Sequence, residues 1–468
     1  MHIAIDTQRA YSTLLFYLQA ACIALIVFFF PLEFPSFHFE TFVNMNNWLA
    51  GHRHQYHTMV ISSYPTDLIV LGAALFSLHK WKKLLFTTPA KYLALFFFSA
   101  LISTLYSPHG LSFGGAYKLF NCSIFVIFFS MIHYLLEEHT EKKIQIIFKA
   151  ISIMMVVEAI FAITQYFTQA EVGWKMFERF PITDSSFHMA TAELWRLDSL
   201  FSIKRVSTNI IRAYGTLSHT NILGGFLFFT SIFSYYGFYY AKKWQGELFY
   251  SALIFLNFFS ICTTFSRASI YTFITASALW FSSFFLKQMT KYRNEKKLLK
   301  LAISITVTVL LCFFLFYPQF SDRGGIVNSN DFSKFSSTLP RLTSMGGTCK
   351  LILNYPLWGV GIENYHHHMG QFSLTLIVHN IYMLIASETG LIGLTLFILF
   401  LWTLLKNGIR NLTPMKVTVL ATFIGLLLLG CVDFYLWRAP PGRWMFFLTA
   451  ALLSALSTKE KQIEISTN

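Results

Sequence analysis

Between Glu247 and Lys287 the chain carries a single charged residue, Arg267. The remainder of that stretch is apolar and long enough for two membrane-crossing helices, which then meet at Ser266-Arg267-Ala268-Ser269. An arginine does not shed its proton, and burying it in a bilayer costs a few kcal/mol or more. It therefore either snorkels from a helix end to the interface or forms a fixed anion site on one membrane face.

Only 12% of the chain is charged, about half the share usual in soluble proteins. An all-α polytopic membrane protein of about 12 transmembrane helices is expected, one membrane domain over 1–468. The candidate spans lie near 12–31, 59–78, 89–106, 115–136, 144–167, 219–239, 247–265, 269–286, 300–318, 378–405, 417–433 and 445–457. The boundary between the seventh and eighth is placed only by the Arg267 turn. No small-residue cleavage site precedes Pro31-Leu32-Glu33, so the first span reads as a signal anchor. The cysteines show neither a disulfide framework nor a CxxC metal spacing.

Basic residues in the short connections set the orientation. Lys80, Lys82 and Lys83, Lys142 and Lys143, Lys242 and Lys243, the Lys287–Lys300 group, and Lys406, Arg410 and Lys416 all fall on one side when twelve spans are drawn. That side is assigned to the cytoplasm, with both termini there. The net charge of +14 is then topological, and no nucleic-acid partner is implied. Two long loops, 168–218 and 319–377, land outside, and long loops of this kind usually carry function.

Arg267, Arg341 and His379 share that outer boundary. Two planar guanidinium forks suit the two phosphates of a diphosphate, and they offset charge on a diphosphate leaving group without a metal ion. A histidine beside them suits the general base for a hydroxyl nucleophile. The first turn of a helix and neighbouring arginines both disfavour its charged form. A histidine that merely caps its helix is the alternative. Asn380 orients that ring, binds a sugar hydroxyl or caps the helix. Asp433 pairs with an arginine or with His379, or is a plain helix-end carboxylate.

These residues resemble a known family. His379-Asn380, followed by Gly390 and Gly393, looks like the outer-face histidine motif of the O-antigen ligase and O-antigen polymerase superfamily. Thr264-Phe265-Ser266-Arg267-Ala268 is similar to its Ser-Arg turn, and Arg212 to Asn221, with Gly215-Thr216 and His219, resembles its segment entering the next helix. Arg341 and Pro356-Leu357-Trp358-Gly359-Val360-Gly361 resemble its large periplasmic loop. The likeness spans about 200–395 by motif. Gly346-Gly347 departs from it, where a bulkier amphipathic helix over Leu342–Tyr355 is expected.

The resemblance implies a GT-C-like fold and a glycosyltransferase with neither nucleotide nor metal. Its members move a glycan from an undecaprenyl-diphosphate-linked donor, at the periplasmic face, to a lipid A–core sugar (ligase) or to another lipid-linked glycan (polymerase). Arg267 and Arg341 would hold the diphosphate and His379 deprotonate the acceptor. Arg212, His219, Asn221, Asn380 and Asp433 would contact substrate. Protein O-oligosaccharyltransferase and, outside the class, secondary transporter are the other readings. Gly390 and Gly393 lie some 16 Å past His379 at about 1.5 Å per residue, so they are expected to serve helix packing. Glu363 with His366, His367 and His368 lacks zinc-type spacing. Arg438 and Arg443 are spare phosphate contacts.

Overall fold

The computed structural model describes residues 87–108, 113–136, 140–170, 202–317, 339–369 and 377–467, with 37–42, 58–63, 189–199 and a few single positions. Two antiparallel hairpins stand among helices: β1 (Phe37–Phe42) with β2 (Thr58–Ser63), and β3 (Met189–Ser199) with β4 (Ser202–Ile211). The helices are α1 (Thr88–Leu105), α2 (Phe113–Leu135), α3 (Thr140–Thr168), α4 (Thr220–Tyr240), α5 (Trp244–Thr263), α6 (Arg267–Ser283) and α7 (Glu295–Leu315). After them come α8 (Leu339–Asn354), α9 (Tyr365–Met369), α10 (Ile381–Gly408), α11 (Pro414–Gly430), α12 (Tyr435–Arg438) and α13 (Pro440–Thr467).

Among the described residues, seven helices are long and apolar enough to cross a membrane: α1 to α5, α7 and α10. The chain is a multi-pass helical membrane protein. Helices α1 to α7, α10, α11 and α13 coincide with the ten expected spans from 89–106 onward. The 12–31 candidate and most of 59–78 lie outside the described residues. Residues 59–63, the start of the second candidate, are strand β2 and not helix.

Local chemistry starts these helices where the sequence changes. The hydroxyl of Thr87 caps α1 ahead of Pro89, and Thr413 caps α11 ahead of Pro414. Asn294 accepts from Lys297 N at 3.1 Å to open α7. Each side chain replaces a hydrogen bond that a first-turn amide cannot find within its helix. Helix α4 is central, with 89% of its span buried against 22% for α7. It packs on α5, α6 and α11, while α10 runs along α1 and α13 along α2. Helix α8 stays continuous through Gly346-Gly347, so the departure noted there does not break it.

Helix α10 is broken at Gly390, where φ is +70° and ψ −178°. The segment Pro356–Gly361 fills the break. Val360 N and Gly361 N donate to the Ser387 and Glu388 carbonyls at 2.9 Å each, and Leu391 N donates to Pro356 O at 2.7 Å. Ser103 Oγ on α1 also donates to Glu388 O, at 2.7 Å. The loop thus supplies partners that the interrupted helix lost, as backbone buried away from water requires. Gly390 is therefore a break filled by a loop, not a helix-packing contact. Gly393 does serve close packing: a Cβ there would stand 3.3 Å from Ser99 Oγ of α1.

Candidate active site at converging helix ends

The ends of α4, α5, α6, α10 and α11 converge on one polar cluster. Arg212 leaves β4 and donates from Nε to the Thr264 carbonyl at 3.0 Å and from Nη2 to Asn221 Oδ1 at 3.1 Å. Asn221 Nδ2 donates to Asp433 Oδ2 at 2.9 Å, which carries the chain of bonds across to the end of α11. Asp433 is buried, and its second oxygen accepts from Phe434 N at 2.8 Å. His219 caps α4 through Nδ1, which accepts from Asn221 N at 3.0 Å.

Arg267 is the first residue of α6 and is exposed. The turn before it is unusual. Phe265 is buried yet has φ +51°, a conformation that costs a bulky residue about 1–3 kcal/mol. Its surroundings hold it there: Thr264 Oγ1 accepts from Ser266 N at 3.2 Å, and the Tyr166 and Phe316 rings lie 6.2 and 6.3 Å from its own. Arg212, bonded to the Thr264 carbonyl, ties this turn to the Asn221–Asp433 pair.

His379 lies just before α10, half-buried, with its ring edge-on to Phe434 at 5.1 Å. Its Nδ1 is buried and meets no hydrogen-bond partner. Burial pushes the imidazole below its usual pKa and the Arg341 guanidinium adds to this, while Asp433 and the Ile377 backbone pull the other way. The net direction is down, which favours the neutral ring. Arg341 is exposed on the first turn of α8. Asn380 caps α10: its Oδ1 accepts from Tyr382 N and Met383 N at 2.9 and 3.0 Å, and its Nδ2 donates to Cys431 O at 3.1 Å. Both ends of that side chain are thereby engaged in joining α10 to α11.

Two expectations change. Arg438 is no spare phosphate contact. It is half-buried and bonds Glu363 at 2.6 Å and Glu388 at 3.2 Å, with Lys118 3.4 Å from Glu363 and Trp437 Nε1 donating to Glu388 at 3.2 Å. Burial alone would push Glu363 up, but Lys118 and Arg438 outweigh it and hold the carboxyl below its usual range. Glu363 is thus engaged chiefly by Lys118 and Arg438, with His366 adding a smaller pull in the same direction. Arg443 is buried over the Phe125 ring at 5.0 Å.

Sequence reasoning overlooked Glu158 and Gln165 of α3. Buried Glu158 accepts from Thr216 N at 3.0 Å and from the Thr216 hydroxyl. Gln165 Oε1 accepts from Tyr214 N and Gly215 N at 3.1 and 2.9 Å. Together they fix the turn that follows Arg212. The only signal in the sequence was a carboxylate within an apolar run, which in a membrane always demands a partner.

Residues 251–398 match the family model described as O-antigen ligase. This segment, about a third of the chain, is similar to the O-antigen ligase family. No protein of curated function matches the chain. The domain carries Arg267, Arg341, His379 and Asn380, together with the broken helix and the loop that fills it. Arg212, His219, Asn221 and Asp433 lie outside the matched residues; the fold bonds Arg212 to Asn221 and Asn221 to Asp433, and Asp433 acts on His379. The match supports a ligase- or polymerase-type role in processing lipid-linked glycans.

Proposed function

We propose that the protein is an O-antigen ligase. It would transfer a glycan from undecaprenyl diphosphate to a hydroxyl of the lipid A–core at the periplasmic face of the inner membrane. The observation that carries this reading is the place of His379 at the head of α10, half-buried against Phe434, with Arg341 and Asp433 as the charged groups that act on its ring. A neutral imidazole can take the proton of the attacking hydroxyl as the sugar C1–oxygen bond to the diphosphate breaks. Arg341 and Arg267, both exposed, would receive the developing diphosphate charge. Asp433 would then stabilise the imidazolium that forms. Arg212, His219 and Asn221 would shape the cluster around them, with Asn380 positioning His379 through its helix cap.

The family domain fits a polymerase equally, with a second lipid-linked glycan as acceptor. Surface lipopolysaccharide from a strain lacking the chain decides between them. Bare core with polymer stranded on its lipid carrier is the expected result. Core capped by a single repeat unit identifies a polymerase, and an unchanged profile overturns both.

A further inference from the structure

A line of buried hydrogen bonds joins the Arg341 helix to the backbone beside His379. Val378 N donates to the Tyr365 hydroxyl at 3.2 Å, and that hydroxyl lies 2.7 Å from Thr348 Oγ1. Thr348 Oγ1 donates to Ser344 O at 2.7 Å, and Ser344 Oγ donates to Arg341 O at 2.8 Å. A hydroxyl has one proton to give. Thr348 spends its own on Ser344 O, so Tyr365 donates to Thr348 and accepts from Val378. The order of donors is fixed along the whole line. Val378, Tyr365, Thr348 and Ser344 are all fully buried, so water does not substitute for any of them.

The other end of this line is anchored. Two residues before Tyr365, Glu363 is held by Arg438 and Lys118, and just before it Val360 and Gly361 are bonded into the break of α10. Tyr365 is therefore held firmly while it grips α8 on one side and the residue preceding His379 on the other. We propose that Tyr365 is a positioning residue that sets the Arg341 guanidinium in register with the His379 imidazole. Its hydroxyl touches neither substrate nor reacting atoms and acts through α8 and Val378. The catalytic meaning of this register rests on the ligase reading above.

The charged groups that act on His379 are Arg341 from α8 and Asp433 from the segment before α12. When the register loosens, the cationic influence of Arg341 fades while Asp433 stays, and the imidazole gains a proton at higher pH. Diethyl pyrocarbonate reacts with neutral imidazole only, so the pH at which His379 labelling is half-complete reads this directly. It is measured by peptide mass spectrometry on the full chain in nanodiscs, with Tyr365→Phe and Thr348→Val made separately. Both variants are expected to move the midpoint up, by roughly 0.5 pH unit on the scale of one nearby charge. Both are also expected to lower transfer about tenfold or more, as a misplaced catalytic group does. An unmoved midpoint in both variants overturns the inference, whatever happens to the rate. A moved midpoint in a protein whose wild type transfers no glycan supports the positioning role and sinks the ligase reading instead.

Discussion

A side chain at Gly390 would place its Cβ 2.0 Å from the Leu357 carbonyl oxygen. That oxygen belongs to backbone, which cannot swing aside as a flexible side chain would. With φ +70° and ψ −178°, the glycine occupies a region closed to other residues, at a cost of about 1–3 kcal/mol before any clash is counted. The break in α10 and the loop that fills it consequently stand or fall together. Gly390→Ala is expected to lower the melting temperature of the detergent-purified protein and to abolish transfer. A melting curve matching wild type would show that the loop seats itself independently of the break.

Arg438 is the hinge pin of a second junction. Its guanidinium meets carboxylates from the segment before α9 and from α10, and Glu388 is almost entirely buried. Removing one partner of a buried ion pair leaves an uncompensated charge and typically costs about 3–5 kcal/mol. Arg438→Met should therefore destabilise strongly. Adding Glu388→Gln should recover part of the loss, because the stranded charge goes with it. A double-mutant cycle on thermal unfolding checks this; strictly additive losses would mean that the two side chains are not coupled.

The membrane body could be read from sequence because apolar run length and basic connections are local signals. The lone Arg267 gave the α5–α6 turn for the same reason, since nothing else in that run stops a helix. The junctions were not legible. Glycine is common in membrane helices, so Gly390 carried no sign that a loop enters beside it. Arg438 looked available because its partners Glu363 and Glu388 lie 75 and 50 residues away. Of the cluster itself, the residue types were foreseen, but the order Arg212–Asn221–Asp433 needed three separated segments to be folded together.

His379 yields a pH prediction with a definite sign. In the proposed mechanism transfer needs the neutral imidazole, so the rate should fall on the acid side as the ring protonates, at a pH below the usual histidine value. Asp433 favours the charged ring. Asp433→Asn should therefore move the acid limb to still lower pH, by roughly 0.5–1 unit for one nearby charge. Rates of transfer between purified lipid-linked glycan and lipid A–core, taken across pH, test this. A limb that moves upward would mean that Asp433 does not act on His379 as a charge.

The last prediction concerns Glu158, a fully buried carboxylate of α3 that accepts from both the amide and the hydroxyl of Thr216. Replacing it with alanine strands the Thr216 amide, at a cost of about 1–3 kcal/mol for a buried donor without a partner. Its consequence should not stop at stability. The Thr216 turn follows Arg212, and Arg212 holds both the Thr264 carbonyl before Arg267 and the Asn221–Asp433 pair. Glu158→Gln retains a carbonyl oxygen for the amide and loses the second acceptor, so it is expected to fold and to transfer glycan several-fold more slowly. Glu158→Ala is expected to be worse on both counts. The measurement is transfer rate normalised to folded protein; equal normalised rates in all three proteins would confine Glu158 to folding and detach it from the site.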